Sequence, residues 1–165
     1  MNEPTAGKED LMAKRVVVGV DFSEASRRAL AKAKEWAGPL GLPMAVVHVL
    51  PLPTYVPSGA FGVLRSSLSG DPQGYPEGDQ KWKAEVEGRA LAELRLWTED
   101  CPGATLKVQW GGAAEGLIAE ADEDTLIVLG NLGHSTLEHL FFGSTAVKVV
   151  RHAPCDVLVV RGPKN

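Results

Sequence analysis

The run RVVVGV, residues 15 to 20, is β-branched and apolar from Val16 onward, with only Gly19 breaking the valines. A strand with one face in water alternates polar and apolar residues. A continuous run is apolar on both faces and suits a parallel sheet covered by helices on each side. Four further runs behave similarly: MAVVHV (44–49), TLKVQW (105–110), TLIVLG (125–130) and DVLVVR (156–161).

Segments with helical spacing lie between them, at 23–37, 79–100 and 113–123, with a last one beginning near Ser144. In the first, Ser23 is placed to cap the amino end. Ala29, Leu30, Ala33, Trp36 and Ala37 recur at three- and four-residue steps and predict one buried face. Gly38 and Pro39 are expected to stop this helix.

Alternating strands and helices joined by right-handed crossovers predict an α/β fold, a three-layer, doubly wound, five-stranded parallel sheet. Such sheets bind ligands at the carboxyl ends of strands where the winding reverses. If the chain winds outward from the first strand and returns to its other side, the first and fourth strands are neighbours. Asp21 then stands beside Gly130.

A length of 165 residues predicts one domain, 1–165, with a tail over 1–13. A net charge of −4 gives no general attraction to polyphosphate or anionic membranes, so no nucleic-acid partner is expected. No segment approaches the roughly 18 apolar residues of a membrane helix, and the polar start MNEPTAGKED lacks the apolar core of a secretion signal. The expectation is a cytoplasmic protein without a membrane partner. Cys101 and Cys155 fall in no Cys-x-x-Cys or Cys/His spacing and read as fillers of small apolar volumes.

The segment 51–79 departs from the compact alternation, with five prolines and five glycines after the second strand. It reads as a Pro/Gly-rich surface insertion. The alternative is a lid, since it leaves the sheet on the edge of the expected site and carries one basic residue, Arg65.

The chemistry concentrates in VLGNLGHSTLEHLFFGSTAVKVV, residues 128 to 150. Gly130 ends a buried strand, where a missing side chain lets a ligand approach the backbone and allows a positive φ. Gly133 permits a second bend. Gly143 and Ser144 open the last helix, whose first N–H groups lack partners inside it; with the hydroxyls of Ser144 and Thr145 they form an anion site. The one fully charged side chain between Gly130 and Val147 is Glu138, so a bound triphosphate is expected to need Mg²⁺. Neither a P-loop nor a Rossmann glycine fingerprint is present.

The pattern Gly-x-x-Gly, nine residues, Gly-Ser, at Gly130, Gly133, Gly143 and Ser144, resembles the ATP-binding branch of the universal stress protein family. So do VVVGVDFSEAS near the start, His48-Val49, and HAPCDVLVVR at the end. The resemblance implies strand order 3-2-1-4-5 in an adenine nucleotide α-hydrolase-like fold, with adenine nucleotide at the reversal point. It implies that Asp21 meets the ribose and adenine side, and that the backbone of Val49 recognises adenine. Leu129 and Gly130 would line the ribose, and Gly133, Gly143, Ser144 and Thr145 would hold phosphates. It also implies a homodimer through antiparallel pairing of the last strand, 156–161.

Asn131-Leu132 replaces the small polar residue and basic or histidine residue usual between the first two glycines, which removes a side-chain donor near the phosphates. WGGAAE replaces the frequent Gly-x-Pro-Ala and is expected to alter a helix start rather than the ligand.

No catalytic triad or metal site is expected. His134, Ser135, His139 and Ser144 follow no nucleophile-elbow or Ser-His-acid order, and the two histidines are five residues apart, off the i, i+4 spacing of a helical metal pair. His48, inside a strand, reads as a satisfied core histidine. Three functions stay open: an ATP-binding regulatory or stress-protective module, a nucleotide-free dimeric interaction protein, and a slow ATP hydrolase.

Overall fold

The computed structural model describes residues 13–52, 77–132 and 142–162. Gly133 and the histidines at 134 and 139 lie outside the described residues, as do Ser135, Glu138, the first twelve residues and the stretch 53–76 of the insertion, with Arg65.

Five strands are described: β1 (Arg15–Gly19), β2 (Met44–Leu50), β3 (Thr105–Trp110), β4 (Thr125–Gly130) and β5 (Asp156–Val160). They form one sheet in the order β3-β2-β1-β4-β5, and every neighbouring pair is parallel. The expected order 3-2-1-4-5 is the observed one. Val16, Val17 and Val18 have no solvent-exposed surface. Val16 and Val18 pack with Ala29, Leu30 and Leu94 on one face, while Val17 packs with Leu117, Ala146 and Val149 on the other. A central strand covered on both sides has no polar face, which is why its sequence does not alternate.

The covering helices are α1 (Glu24–Leu40) and α2 (Glu77–Trp97) on the first face, and α3 (Ala113–Ala119) and α4 (Ser144–His152) on the second. Ser23 caps α1 as expected, its hydroxyl accepting the N–H of Ser26 at 3.2 Å.

The far end of α1 differs from the sequence reading. The helix continues through Gly38 and Pro39, and Gly41, at φ 61°, ends it with its N–H on the carbonyls of Ala37 and Gly38. Proline in a final turn forfeits one hydrogen bond on an exposed stretch, and the left-handed stop falls to the next available glycine. Trp36 also departs from the predicted face, being 50% exposed; Ala25 and Ser26 are buried instead.

α3 is shorter than the predicted 113–123. The Asp122 carboxylate accepts the Thr125 hydroxyl at 2.6 Å and the Asp124 N–H at 3.2 Å, a local turn that competes with helix. The Thr125 hydrogen bond, then Arg15, holds the Asp122 carboxyl below the usual range. Among the described residues, no helix is long and apolar enough to cross a membrane.

Candidate functional site

Because β1 is central and the chain reverses beside it, the carboxyl ends of β1, β2 and β4 converge. A cleft of about 260 Å³ opens there. Its described lining includes Asp21 after β1, Val49 in β2, Leu129 and Gly130 in β4, and Gly143, Ser144 and Thr145 at the start of α4. Seven of the eight expected site residues are thus around one cavity; the eighth, Gly133, lies outside the described residues.

Asp21 sits in a constrained turn. One of its carboxylate oxygens accepts both the N–H and the hydroxyl of Ser23, at 3.0 and 2.5 Å. The Ser26 hydroxyl donates to the Ser23 carbonyl at 3.0 Å and receives the Asp21 N–H at 3.3 Å. The next residue, Phe22, has φ 61°, a left-handed conformation that costs a non-glycine residue about 1–2 kcal/mol. Its ring is held 4.5 Å from the His48 ring and edge-on to Trp97 at 5.3 Å, with Arg27 over the Trp97 ring. His48 donates through Nδ1 to the Val20 carbonyl at 2.7 Å, as expected of a satisfied histidine. Packing and hydrogen bonding therefore hold the Phe22 turn and present Asp21 to the cleft.

Gly130 lacks a side chain for a reason different from the one expected. Its φ is not positive, and a Cβ there would stand 2.8 Å from the Ala25 carbonyl carbon and Cβ. The clearance is occupied by the backbone of α1. Gly130 lines the cleft, but packing of helix on strand already demands glycine.

At the start of α4 the Gly143 N–H donates to the Asn131 carbonyl at 2.6 Å, and the Asn131 N–H donates to Val160 at 3.0 Å. These two bonds pin the helix to the ends of β4 and β5. Val147 makes the first helical bond, to Gly143. Gly143 supplies no side-chain cap, and the N–H groups of Ser144, Thr145 and Ala146 have no partner among the described residues. All three residues line the cleft. An uncapped helix end carries a partial positive charge and favours an anion.

The one ionised side chain among the described lining residues is Asp21. Among the described residues there is no group of three His, Cys, Asp or Glu able to hold a metal ion. Cys101 and Cys155 are half-buried, away from the described lining, and burial pushes both thiols up.

Sequence reasoning missed the opposite wall. Ala113 and Leu117 of α3 line the cleft, so the altered WGGAAE stretch touches the site as well as starting a helix. Gly19 also lines it; a Cβ there would come within 2.8 Å of the Leu117 side chain. The signal available was the single glycine interrupting the valines of β1. Asn131 and Leu132, noted as departures, are both lining residues.

Residues 12–161 match the model of the universal stress protein family. A Thermus aquaticus relative, the universal stress protein in the QAH/OAS sulfhydrylase 3'region, is 32% identical over 153 residues, covering 91% of this chain and all of that protein. Among solved structures, the universal stress protein UspA from Lactobacillus plantarum superposes with a TM-score of 0.64 at 22% identity, covering 91% of this chain and 99% of the other. A universal stress protein solved in complex with cAMP superposes with a TM-score of 0.55 at 24% identity, covering 90% and 97%.

Proposed function

The chain belongs to the universal stress protein family, and from that premise we propose that it binds adenine nucleotide, with ATP as the ligand, and serves as a nucleotide-responsive regulatory or stress-protective module. The observation that carries this reading is the uncapped start of α4, three N–H groups wide, opening onto a cleft at the reversal point of the sheet. The fold accommodates such a ligand in the relative solved with cAMP.

In this reading Asp21 meets the ribose and adenine side, and its negative charge keeps the phosphates at the other end. The backbone of Val49 recognises adenine, and Leu129 and Gly130 line the ribose. Gly133, Gly143, Ser144 and Thr145 surround the phosphates, with the N–H groups at 144–146 donating. Each bond to a charged group contributes about 1.5–3 kcal/mol, so a few suffice without a lysine.

The described lining offers no cation against a triphosphate, which fits a nucleotide bound with Mg²⁺. That ion would be held mainly by phosphate oxygens and water and would supply charge neutralisation. With Asn131-Leu132 between the first glycines, affinity rests on backbone donors and the hydroxyls of Ser144 and Thr145.

A homodimer is part of the proposal. β5 is an edge strand, α4 beside it exposes Val147 and Val150, and an open apolar edge invites pairing with a second copy. The setting proposed is the cytoplasm.

The test is to denature the purified protein, quantify released nucleotide, and titrate the nucleotide-free protein with MgATP by calorimetry. Near-stoichiometric ATP or ADP and saturable binding are expected. A folded protein that neither carries nor binds adenine nucleotide overturns the reading in favour of an interaction protein, and steady phosphate release moves it to a hydrolase. Light scattering should give a dimer at micromolar concentration; a monomer removes that part.

A further inference from the structure

The side-chain amide of Gln109 is out of place for a structural residue. Gln109 is in β3, in register with Val49, on the sheet face that carries α3. Its Nε2 is shut off from solvent and has no hydrogen-bond partner among the described residues. Burying an amide N–H unpaired is unfavourable, whereas an aliphatic residue fills the same volume without that cost.

Room for the amide comes from Gly116, inside α3, where glycine is less favourable than alanine. A Cβ on Gly116 would stand 2.6 Å from Gln109 Nε2 and 2.8 Å from Val49 Cγ2. The amide therefore occupies a notch in α3 next to the Val49 side chain. Val49 and Ala113, three residues before Gly116 on the same helix, line the cleft. Two locally unfavourable choices, Gln109 and Gly116, thus place one unpaired donor a single side chain away from the end of the cleft assigned to the base.

We propose that Gln109 is a base-reading residue: its Nε2–H donates to a ring nitrogen of a purine held against Val49. Gln109 does not line the cleft in the nucleotide-free fold, so reaching the base requires its inner side-chain torsions to change rotamer; the terminal amide torsion is broad and then aims the N–H. The purine supplies the acceptor that this donor lacks. The inference rests on the nucleotide reading and adds to it the residue that selects the base.

The experiment titrates MgATP and the Mg²⁺ complexes of its 1-deaza, 3-deaza and 7-deaza analogues into the wild-type protein, Gln109→Leu and Gln109→Met, and records a thermal melt for each. Gln109→Leu is expected to bind ATP about five- to tenfold more weakly while melting at the same temperature or higher, because an unpaired amide has been removed. One deaza analogue should bind wild type and variant equally, since the bond is already missing. Equal ATP affinity in wild type and both variants overturns the inference, as does an undiminished wild-type advantage for all three analogues. If neither variant folds, the glutamine is structural and the inference falls. A wild-type protein that binds no ATP instead overturns the nucleotide reading beneath it.

Discussion

Of the helices that begin at the cleft, α1 and α4 have amino ends that are finished differently. α1 has a side-chain cap: Ser23 accepts the N–H of Ser26, Asp21 accepts from Ser23, and the Ser26 hydroxyl returns to Ser23. α4 begins with Gly143 and leaves three N–H groups without a described partner. Both ends have the same orphan donors by construction. At the first a side chain meets one of them and contributes stability; at the second no side chain does, and in the proposed function a nucleotide completes it.

The largest expected effect breaks the open end without disturbing the helix. Ser144→Pro removes an N–H and a hydroxyl at a position where proline is well tolerated, and Gly143, at φ −71° and ψ 160°, already has the extended conformation that precedes proline. Loss of about 1.5–3 kcal/mol per charged contact predicts ATP binding weaker by roughly ten- to a hundredfold, with an unchanged melting temperature. A melt that drops while affinity holds would reverse the roles assigned to the two ends.

Gly130→Ala comes next and acts through packing. Its new methyl meets the backbone of Ala25, which cannot swing aside, so about 1–3 kcal/mol of stability should be lost. For a chain of this length that is a fall of roughly 2–4 °C per kcal/mol in a thermal melt. An unchanged melt with lost ATP binding would return Gly130 to the ligand.

Ser23→Ala removes the cap of α1 and should cost about 1 kcal/mol of stability, read by denaturant titration. Its effect on ATP binding should be smaller than that of Ser144→Pro, since it reaches the ligand only through Asp21. Smallest is Lys148→Ala. Lys148 pairs with Glu115 at 3.5 Å and both side chains are more than half exposed, so the denaturation midpoint should be essentially unchanged. Affinity should hold too; a marked loss in calorimetry would mean that the open end of α4 relies on a lysine.

The fold was legible because both faces of β1 are buried, and valine at 16, 17 and 18 states that directly. The end of α1 was harder, because Pro39 is a stop in a helix interior and tolerable in a last turn; Gly41 decides which applies. Trp36 has the spacing of a core residue but is half exposed, and spacing does not reveal such a position. In the site, residues after strands and at helix starts were readable, since those positions face the cleft in any doubly wound sheet. Ala113 and Leu117 were not, because a small apolar residue on a helix looks the same whether it covers a core or walls a cavity. Gln109 and Gly116 were silent for a related reason: each is unremarkable alone, and only their contact gives them meaning.

The contact between Gly130 and Ala25 bears on how such glycine spacings are used as diagnostics. A family member that binds no nucleotide would still be obliged to keep the first glycine, because α1 rests on it whether or not anything is bound. Ser144, exposed at the start of α4, is under no such obligation from the core. The spacing is two signatures laid over each other, one heritable through architecture and one through chemistry, and only the second reports whether a member of the family still has a ligand to hold.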